Sequence, residues 1–315
     1  MGKRIDMDKK KVIKYVVITY VISWALQTAG ALYMVNNPGQ TGIMVFQASM
    51  AVCMFGPFVA AWIVNGSLKG MGWIPKFKGN IGWLLFAAYA MIPLTAIGGV
   101  LYYLIFPGMF DASLSYVIAQ NAAAGVDFEA KMAESGMTMQ MYMIVTIASL
   151  IYTPFINIIT AIGEETGWRG FLYPELGKSF GKAKTWIIGG IIWAAFHFPA
   201  MLLGGYEYGK DYIGAPWLGL IVFTVVVIAY GVLEEIVYNK TKCIWYPALL
   251  HGSINAALTI PQIFANAGRA DILDKFAFCG PIGTGLVVSA PIIVCAVIMG
   301  ICEVRKAAKT KEVSA

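Results

Sequence analysis

The chain has 315 residues, of which 59% are hydrophobic and 13% are charged, and its formal net charge is +6. Soluble domains carry about 25% charged residues, so this composition excludes a soluble globular protein and indicates an integral membrane protein. The basic residues lie in short stretches between apolar segments and form no single patch with interleaved aromatic residues. The positive charge therefore does not indicate a nucleic-acid partner.

Eight apolar segments are long enough to cross a lipid bilayer, since a membrane-spanning helix needs about 20 predominantly apolar residues. In chain order they cover 12–34, 43–64, 82–106, 141–172, 185–204, 217–238, 243–260 and 281–302. The pattern predicts an all-α, polytopic membrane helix bundle of about eight transmembrane helices. No linker divides the chain, so we expect residues 1–315 to form a single multi-pass membrane domain.

The charges in the connections predict the orientation of the bundle. Acidic residues such as Asp111 and Glu129 lie in the connections that lack a basic cluster. By the positive-inside rule, the alternation predicts that both termini are cytoplasmic, in a multi-pass protein of the cell membrane. The basic residues lie at the two termini and after every second segment: Lys3, Arg4, Lys9, Lys10, Lys11, Lys14, Lys69, Lys76, Lys78, Lys178, Lys182, Lys184, Lys240, Lys242, Arg305, Lys306, Lys309 and Lys311.

The fourth apolar segment contains the run GEETGWR over residues 163–169. Glu165 and Arg169 are four residues apart, a spacing that brings an acid and a base together on one helix face. Glu164 then points about 100° away around the helix. Titratable residues inside a membrane segment indicate a functional site, although a charge cluster at a helix end is the plain alternative.

The fifth and seventh segments repeat the four-residue spacing around the two histidines of the chain. Trp193 precedes His197, and Asn255 follows His251. Histidine can take up a proton near neutral pH, but His and Asn in membrane helices also form hydrogen bonds that merely hold helices together. Each pair alone leaves both interpretations open.

The three segments can bring these groups to similar depths. At 1.5 Å per residue, His251 lies about 12 Å and His197 about 18 Å from the cytoplasmic ends of their segments. We therefore expect Glu164, His197, His251 and Asn255 to face one water-containing cavity that opens toward the cytoplasm. Such groups could activate water and stabilise an oxyanion, which predicts hydrolysis. Two histidines and a glutamate could also bind zinc, although the HExxH spacing is absent.

The ordered motifs EExxxR, WxxxH and HxxxN resemble the CPBP family, which comprises CAAX proteases and bacteriocin-processing (Abi) proteins. The similarity covers residues 141–260, and this core is similar to that of the Ras-converting CAAX endopeptidase. The resemblance implies an intramembrane glutamic endopeptidase that uses no metal or other cofactor. Residues 1–140 carry no such signal.

By position, the resemblance gives Glu164 the role of the general base that activates water together with His197. His251 and Asn255 would form the oxyanion hole.

Glu165, Arg169 and Trp193 would support the site. We expect Arg169 to pair chiefly with Glu165, which leaves Glu164 to the water. Trp193 departs from the usual motif, in which a Phe begins the second element.

A second acidic pair, Glu234 and Glu235, is unusual late in the sixth apolar segment. The pair could lie at the cytoplasmic interface near Lys240 and Lys242, or it could line the substrate entrance.

The expected substrate is a peptide or a membrane-protein segment, and the resemblance does not fix whether it is prenylated. Three alternatives stay open: a non-catalytic scaffold or immunity protein, a transporter, and a zinc-dependent membrane protease. Transporters often have broken helices, and Pro154 and Pro199 could interrupt helices near the site. The oligomeric state is not predicted.

Overall fold

The computed structural model describes residues 6–313, with the side chains of residues 310–313 excepted. Lys3, Arg4 and the Lys311 side chain therefore lie outside the described residues. Apart from an isolated β-bridge between Phe110 and Ala265, the regular structure of the described residues is helical. The predicted all-α fold is confirmed.

The first half of the described chain contains α1 to α8. These helices are α1 (Lys9–Asn36), α2 (Gln40–Cys53), α3 (Gly56–Asn65), α4 (Ile81–Tyr89), α5 (Met91–Ile105), α6 (Ser115–Ala123), α7 (Phe128–Glu134) and α8 (Met139–Ser149).

The second half contains the motif-bearing helices and the C-terminal helix. They are α9 (Thr153–Gly167), a π-helical turn (Trp168–Leu172), α10 (Tyr173–Ser179), α11 (Lys182–Phe196), α12 (Phe198–Gly204), α13 (Trp217–Thr241), α14 (Trp245–Ala257), α15 (Ala270–Lys275) and α16 (Ala290–Val313). Short 3₁₀ turns cover Pro261–Phe264, Ala267–Arg269 and Ala277–Cys279.

Five helical stretches of the described chain are long and apolar enough to cross a membrane, or six if a pair bent by 52° counts as one span. The predicted number of eight is not confirmed. The segment predicted over 243–260 contains only the 13-residue α14, and the segment predicted over 281–302 becomes helical at Ala290. α14 packs against α9, α4, α5 and α13 and is almost entirely buried. A helix shielded from lipid by its neighbours does not need the length of a bilayer.

The connections gather at two opposite ends of the bundle. The α3–α4 connection and the start of α14 lie at one end, which we call the basic end. There Ile244 N donates to Gly72 O at 3.0 Å, and Tyr246 Oη donates to Lys76 O at 2.8 Å. This end carries most of the described basic residues, and the positive-inside rule predicts it to be cytoplasmic.

At the other end, which we call the far end, three long connections cover 106–138, 205–216 and 258–289. They are tied to one another by hydrogen bonds from Asp111 N to Phe264 O (2.8 Å) and from Tyr208 Oη to Thr284 O (2.7 Å). The motif-bearing helices α9, α11 and α14 run between these two ends.

Candidate active site

Glu164 lies near the C-terminal end of α9 and is 1% exposed. Its Oε2 accepts hydrogen bonds from Trp168 Nε1 at 2.9 Å and from Trp193 Nε1 at 2.6 Å. The π-helical turn that follows α9 carries Trp168, and π-helical turns occur often at functional sites. Two indole N–H groups thus hold one carboxylate oxygen in place, while Oε1 has no hydrogen-bond partner among the described residues.

Close helix packing around the two glutamates depends on glycine. A Cβ at Gly163 would contact Met54 O at 2.7 Å, and one at Gly167 would collide with Pro57 and Tyr15. The GEETG run therefore lets α9 approach α1 and α3 closely.

Arg169 is completely buried and is held between two helices. Its Nη1 lies 2.9 Å from Glu165 Oε1, and its Nη2 forms an ion pair with Glu234 Oε2 on α13. The guanidinium also lies over the Trp193 ring, 4.3 Å from the centroid, a cation–π geometry. The expected pairing of Arg169 with Glu165 is present, and Glu234 is an additional partner.

His251 joins this ionic network from α14. Its Nδ1 lies 2.9 Å from Glu165 Oε1 and 3.9 Å from Glu234 Oε1. When Nδ1–H donates to the carboxylate, the imidazole orientation is fixed and Nε2 is free to face a neighbouring group.

His197 ends α11, and its Nδ1 lies 3.2 Å from the Trp193 carbonyl oxygen. A carbonyl can only accept, so Nδ1 carries the proton in this contact and Nε2 is available to accept one. Trp193 therefore orients both candidate proton-transfer groups: its carbonyl holds His197 and its indole holds Glu164.

Three of the four predicted catalytic residues line one cavity of about 40 Å³, which is large enough to hold water. His197 comes from α11, and His251 and Asn255 come from α14. Glu164 does not line this cavity but lies behind Trp193, which does.

The cavity does not open at the end that we expected. Its lining also includes Tyr206, Glu207 and Thr284, and all three belong to far-end connections. Toward the basic end, Glu164, Arg169 and the intervening side chains are buried. The cavity therefore lies toward the far end and not toward the basic end, which is the end predicted to be cytoplasmic: Trp168 and Arg169 fill the basic end of the site.

The described residues contain one group of donors close enough to share a metal ion: atoms of Glu165, Glu234 and His251 lie within 4.8 Å of one another. Carboxylate oxygens and imidazole nitrogens are ligands for zinc. However, Arg169 already pairs with both carboxylates, so a divalent cation would have to enter beside a positive charge. His197, which the zinc alternative required, lies outside this group.

The second acidic pair divides between two environments. Glu234 is buried in the Arg169 network, which neither sequence interpretation predicted. Glu235 is partly exposed near the basic end, where its Oε2 accepts from Trp186 Nε1 at 2.9 Å. The interface interpretation therefore fits Glu235 and not Glu234.

Comparison with known proteins agrees with these motifs. Residues 146–257 match the family model described as type II CAAX prenyl endopeptidase Rce1-like. This part of the chain is Rce1-like. The matched residues include the three motifs and Glu234.

The chain is also similar to a curated protein, CAAX prenyl protease 2 of Methanococcus maripaludis. The two are 28% identical over 102 residues, which is 32% of this chain and 37% of the relative. The matched stretch thus spans a little over a third of the relative's length, and the remainder of each protein lies outside the comparison.

Proposed function

We propose that this Rce1-like membrane protein is an intramembrane endopeptidase that hydrolyses a peptide bond with water activated by Glu164 and His197. The main support is that Trp193 contacts both groups: its indole N–H donates to Glu164, and its carbonyl oxygen accepts from His197. Trp193 and His197 line a cavity that is large enough for water. We place the catalytic core at 141–260 within a single membrane domain, and the protein in the cell membrane.

In this mechanism Oε1 of Glu164 takes one proton from water while Nε2 of His197 accepts a hydrogen bond from the same water, and the resulting hydroxide attacks the carbonyl carbon of the substrate. The oxygen that becomes negative accepts hydrogen bonds from the Asn255 side-chain amide and from Nε2–H of a doubly protonated His251, and both residues line the same cavity. Collapse of the tetrahedral intermediate breaks the C–N bond, and the proton passes to the leaving amine.

The ionic network would serve as support for this chemistry. Glu165 fixes the His251 imidazole at 2.9 Å, and Arg169 fixes Glu165. A buried Arg beside several carboxylates also offsets their mutual repulsion. The substrate of this mechanism is a peptide or a membrane-protein segment.

The test is cleavage of a peptide library by the purified full-length protein in detergent. Glu164→Gln should lower the rate by about 10²–10⁴, the usual contribution of a general base, while its circular dichroism and thermal unfolding stay close to those of the natural protein. Glu175→Gln is the matched control, because Glu175 lies on α10, where Lys178 pairs with it. Equal cleavage by the Glu164→Gln variant would contradict the mechanism, and no cleavage by the natural protein would support the scaffold alternative.

A further inference from the structure

A second, larger cavity of about 430 Å³ lies at the far end, and we call it the entry cavity. It is formed by all three far-end connections: α6 contributes Gln120, the 205–216 connection contributes Glu207 and Gly209, and the 258–289 connection contributes Gln262 and Asp274. Glu207 also lines the small cavity that contains the candidate catalytic residues. Glu207 is thus the residue that the two linings share, and we call its position the junction.

The entry cavity is open to the surroundings at its outer rim. Ala119, Gln120, Ala270 and Asp274 are all exposed. At its inner end, Glu207 is partly exposed, and Thr284 Oγ1 donates a hydrogen bond to its carboxylate. The rim and the junction thus form a path from the far end to the candidate catalytic residues.

The opposite side of the site is closed by side chains. Trp168, Arg169 and Leu172 are 0% exposed, and Tyr173 is 2% exposed. A polypeptide that approached from the basic end would have to displace this packed layer.

The backbone at the junction is held in an unusual conformation. Glu207 has φ = 72°, between Gly205 at 68° and Gly209 at 71°. A left-handed conformation favours glycine and costs a non-glycine residue free energy. A strained residue that lies between two cavities indicates that the Glu207 side chain has a function there.

We propose that the polypeptide substrate enters from the far end through the entry cavity, and that Glu207 selects a basic side chain next to the cleaved bond. This inference rests on the proposed function. Since the far end is the end predicted to be non-cytoplasmic, the substrate is presented from outside the cytoplasm.

The charge of the entry cavity indicates which side chains of a substrate it binds. Glu207 and Asp274 line the entry cavity, and no Lys, Arg or His is among its lining residues in the described part of the chain. Burial raises the pKa of the Glu207 carboxyl, and hydrogen bonds from Thr284 and Tyr206 oppose that rise. A guanidinium or ammonium group would pair with this carboxylate. Most of the other lining residues are apolar and include Leu273, Pro281 and Ile282, so the two carboxylates are the charged groups of the cavity.

The first experiment compares peptide substrates that carry Lys, Arg or Gln at each position around the cleaved bond. The full-length protein should prefer a basic residue at one position by about 10-fold or more in kcat/KM, the effect of one charge-assisted hydrogen bond. Glu207→Gln should reduce that ratio toward 1, mainly through KM. Glu134→Gln, which alters an exposed carboxylate on α7, should keep the preference.

Cleavage without any basic preference, or a preference that Glu207→Gln leaves intact, would overturn the selection by Glu207 while leaving the proposed function standing. If the natural protein and the Glu164→Gln variant both fail to cleave, the proposed function itself fails and the entry proposal falls with it.

The second experiment tests the side of entry with a membrane-impermeant thiol reagent on intact cells, in a background with Cys279, Cys295 and Cys302, the three cysteines that are not buried, replaced by Ser. Ala119→Cys at the rim should be modified without permeabilisation, and a bulky adduct there should block cleavage. Gly177→Cys at the basic end, where a Cβ meets no neighbour within 4 Å, should be modified only after permeabilisation and should leave cleavage intact. Block by modification at position 177 but not at 119 would overturn the proposal.

Discussion

At the scale of single residues, Trp193 connects the chemistry of two motifs. Its indole donates to Glu164 and its carbonyl contacts His197, while its ring also covers the Arg169 guanidinium. A Phe at this position would keep the carbonyl contact and the cation–π geometry but would lose the hydrogen bond to Glu164. The departure from the usual motif residue therefore adds a second N–H to the carboxylate.

Asn255→Ala tests the oxyanion hole. Asn255 lines the catalytic cavity and is partly exposed, so its removal should leave the fold intact. One oxyanion donor contributes about 2.7–4 kcal/mol, so we expect kcat to fall by about 10²–10³ with measurable activity left. The measurement is kcat with a cleaved peptide, and Asn239→Ala near the basic end is the control. Complete loss of cleavage with an intact fold would give Asn255 a larger role than one donor.

Glu234→Gln tests the unpredicted carboxylate. Because Glu234 pairs with the buried Arg169, loss of its charge should destabilise the protein by about 1.5–3 kcal/mol, the range for a hydrogen bond to a charged group, and should lower kcat as Arg169 shifts. Thermal unfolding and kcat are compared with those of Glu235→Gln, whose partly exposed carboxylate lies outside the network. Equal unfolding temperatures and equal kcat values for the two variants would show that the ion pair of Glu234 with Arg169 contributes no more than the contacts of Glu235.

At the scale of elements, the contact of α9 with α14 sets the positions of the glutamates relative to His251. The contact is close at Gly252, where an added Cβ would collide with Pro154 O, and Asn157 Nδ2 donates to Gly252 O at 3.1 Å. Glycine at this position lets two helices approach without strain.

Gly252→Ala should force α14 away from α9. Overpacking costs about 1–3 kcal/mol, so we expect a lower unfolding temperature together with lower kcat, because His251 moves away from Glu165. Gly82→Ala, on α4, is the matched control, since a Cβ there meets no neighbour within 4 Å. An unfolding temperature unchanged by Gly252→Ala would show that the helix contact can relax.

At the scale of the whole molecule, the bundle places a layer of large side chains at one end of the site and open connections at the other. Four helices surround α14, so the groups that need water are held in a central cavity rather than against lipid. The same burial makes the pairing of each charge important, since an unpaired charge in the interior is costly.

Metal removal distinguishes the glutamate mechanism from zinc catalysis in the intact protein. If Glu164 and His197 activate water directly, cleavage should survive prolonged chelation, and metal analysis should find far less than one zinc per chain. Stoichiometric zinc, with activity lost to chelators and restored by the metal, would overturn the mechanism. Glu165, Glu234 and His251 would then be the ligands to test.

The sequence by itself determined the features that depend on composition and on local spacing. The apolar composition required a membrane bundle, and the four-residue spacing placed Glu165 beside Arg169 and the Trp193 carbonyl beside His197. Such relations follow from the helix repeat alone. The ordered motifs also indicated the family, because they combine residue types with separation along the chain.

The tertiary structure decided which helices meet. Glu234 lies 65 positions after Arg169 in the chain, and only the packing of α13 beside the π-helical turn makes them a pair. The length of α14, the hydrogen bond from Trp193 to Glu164 and the opening of the cavity at the far end likewise depend on contacts between distant segments. No local spacing encodes these contacts, because they result from the close packing of whole helices.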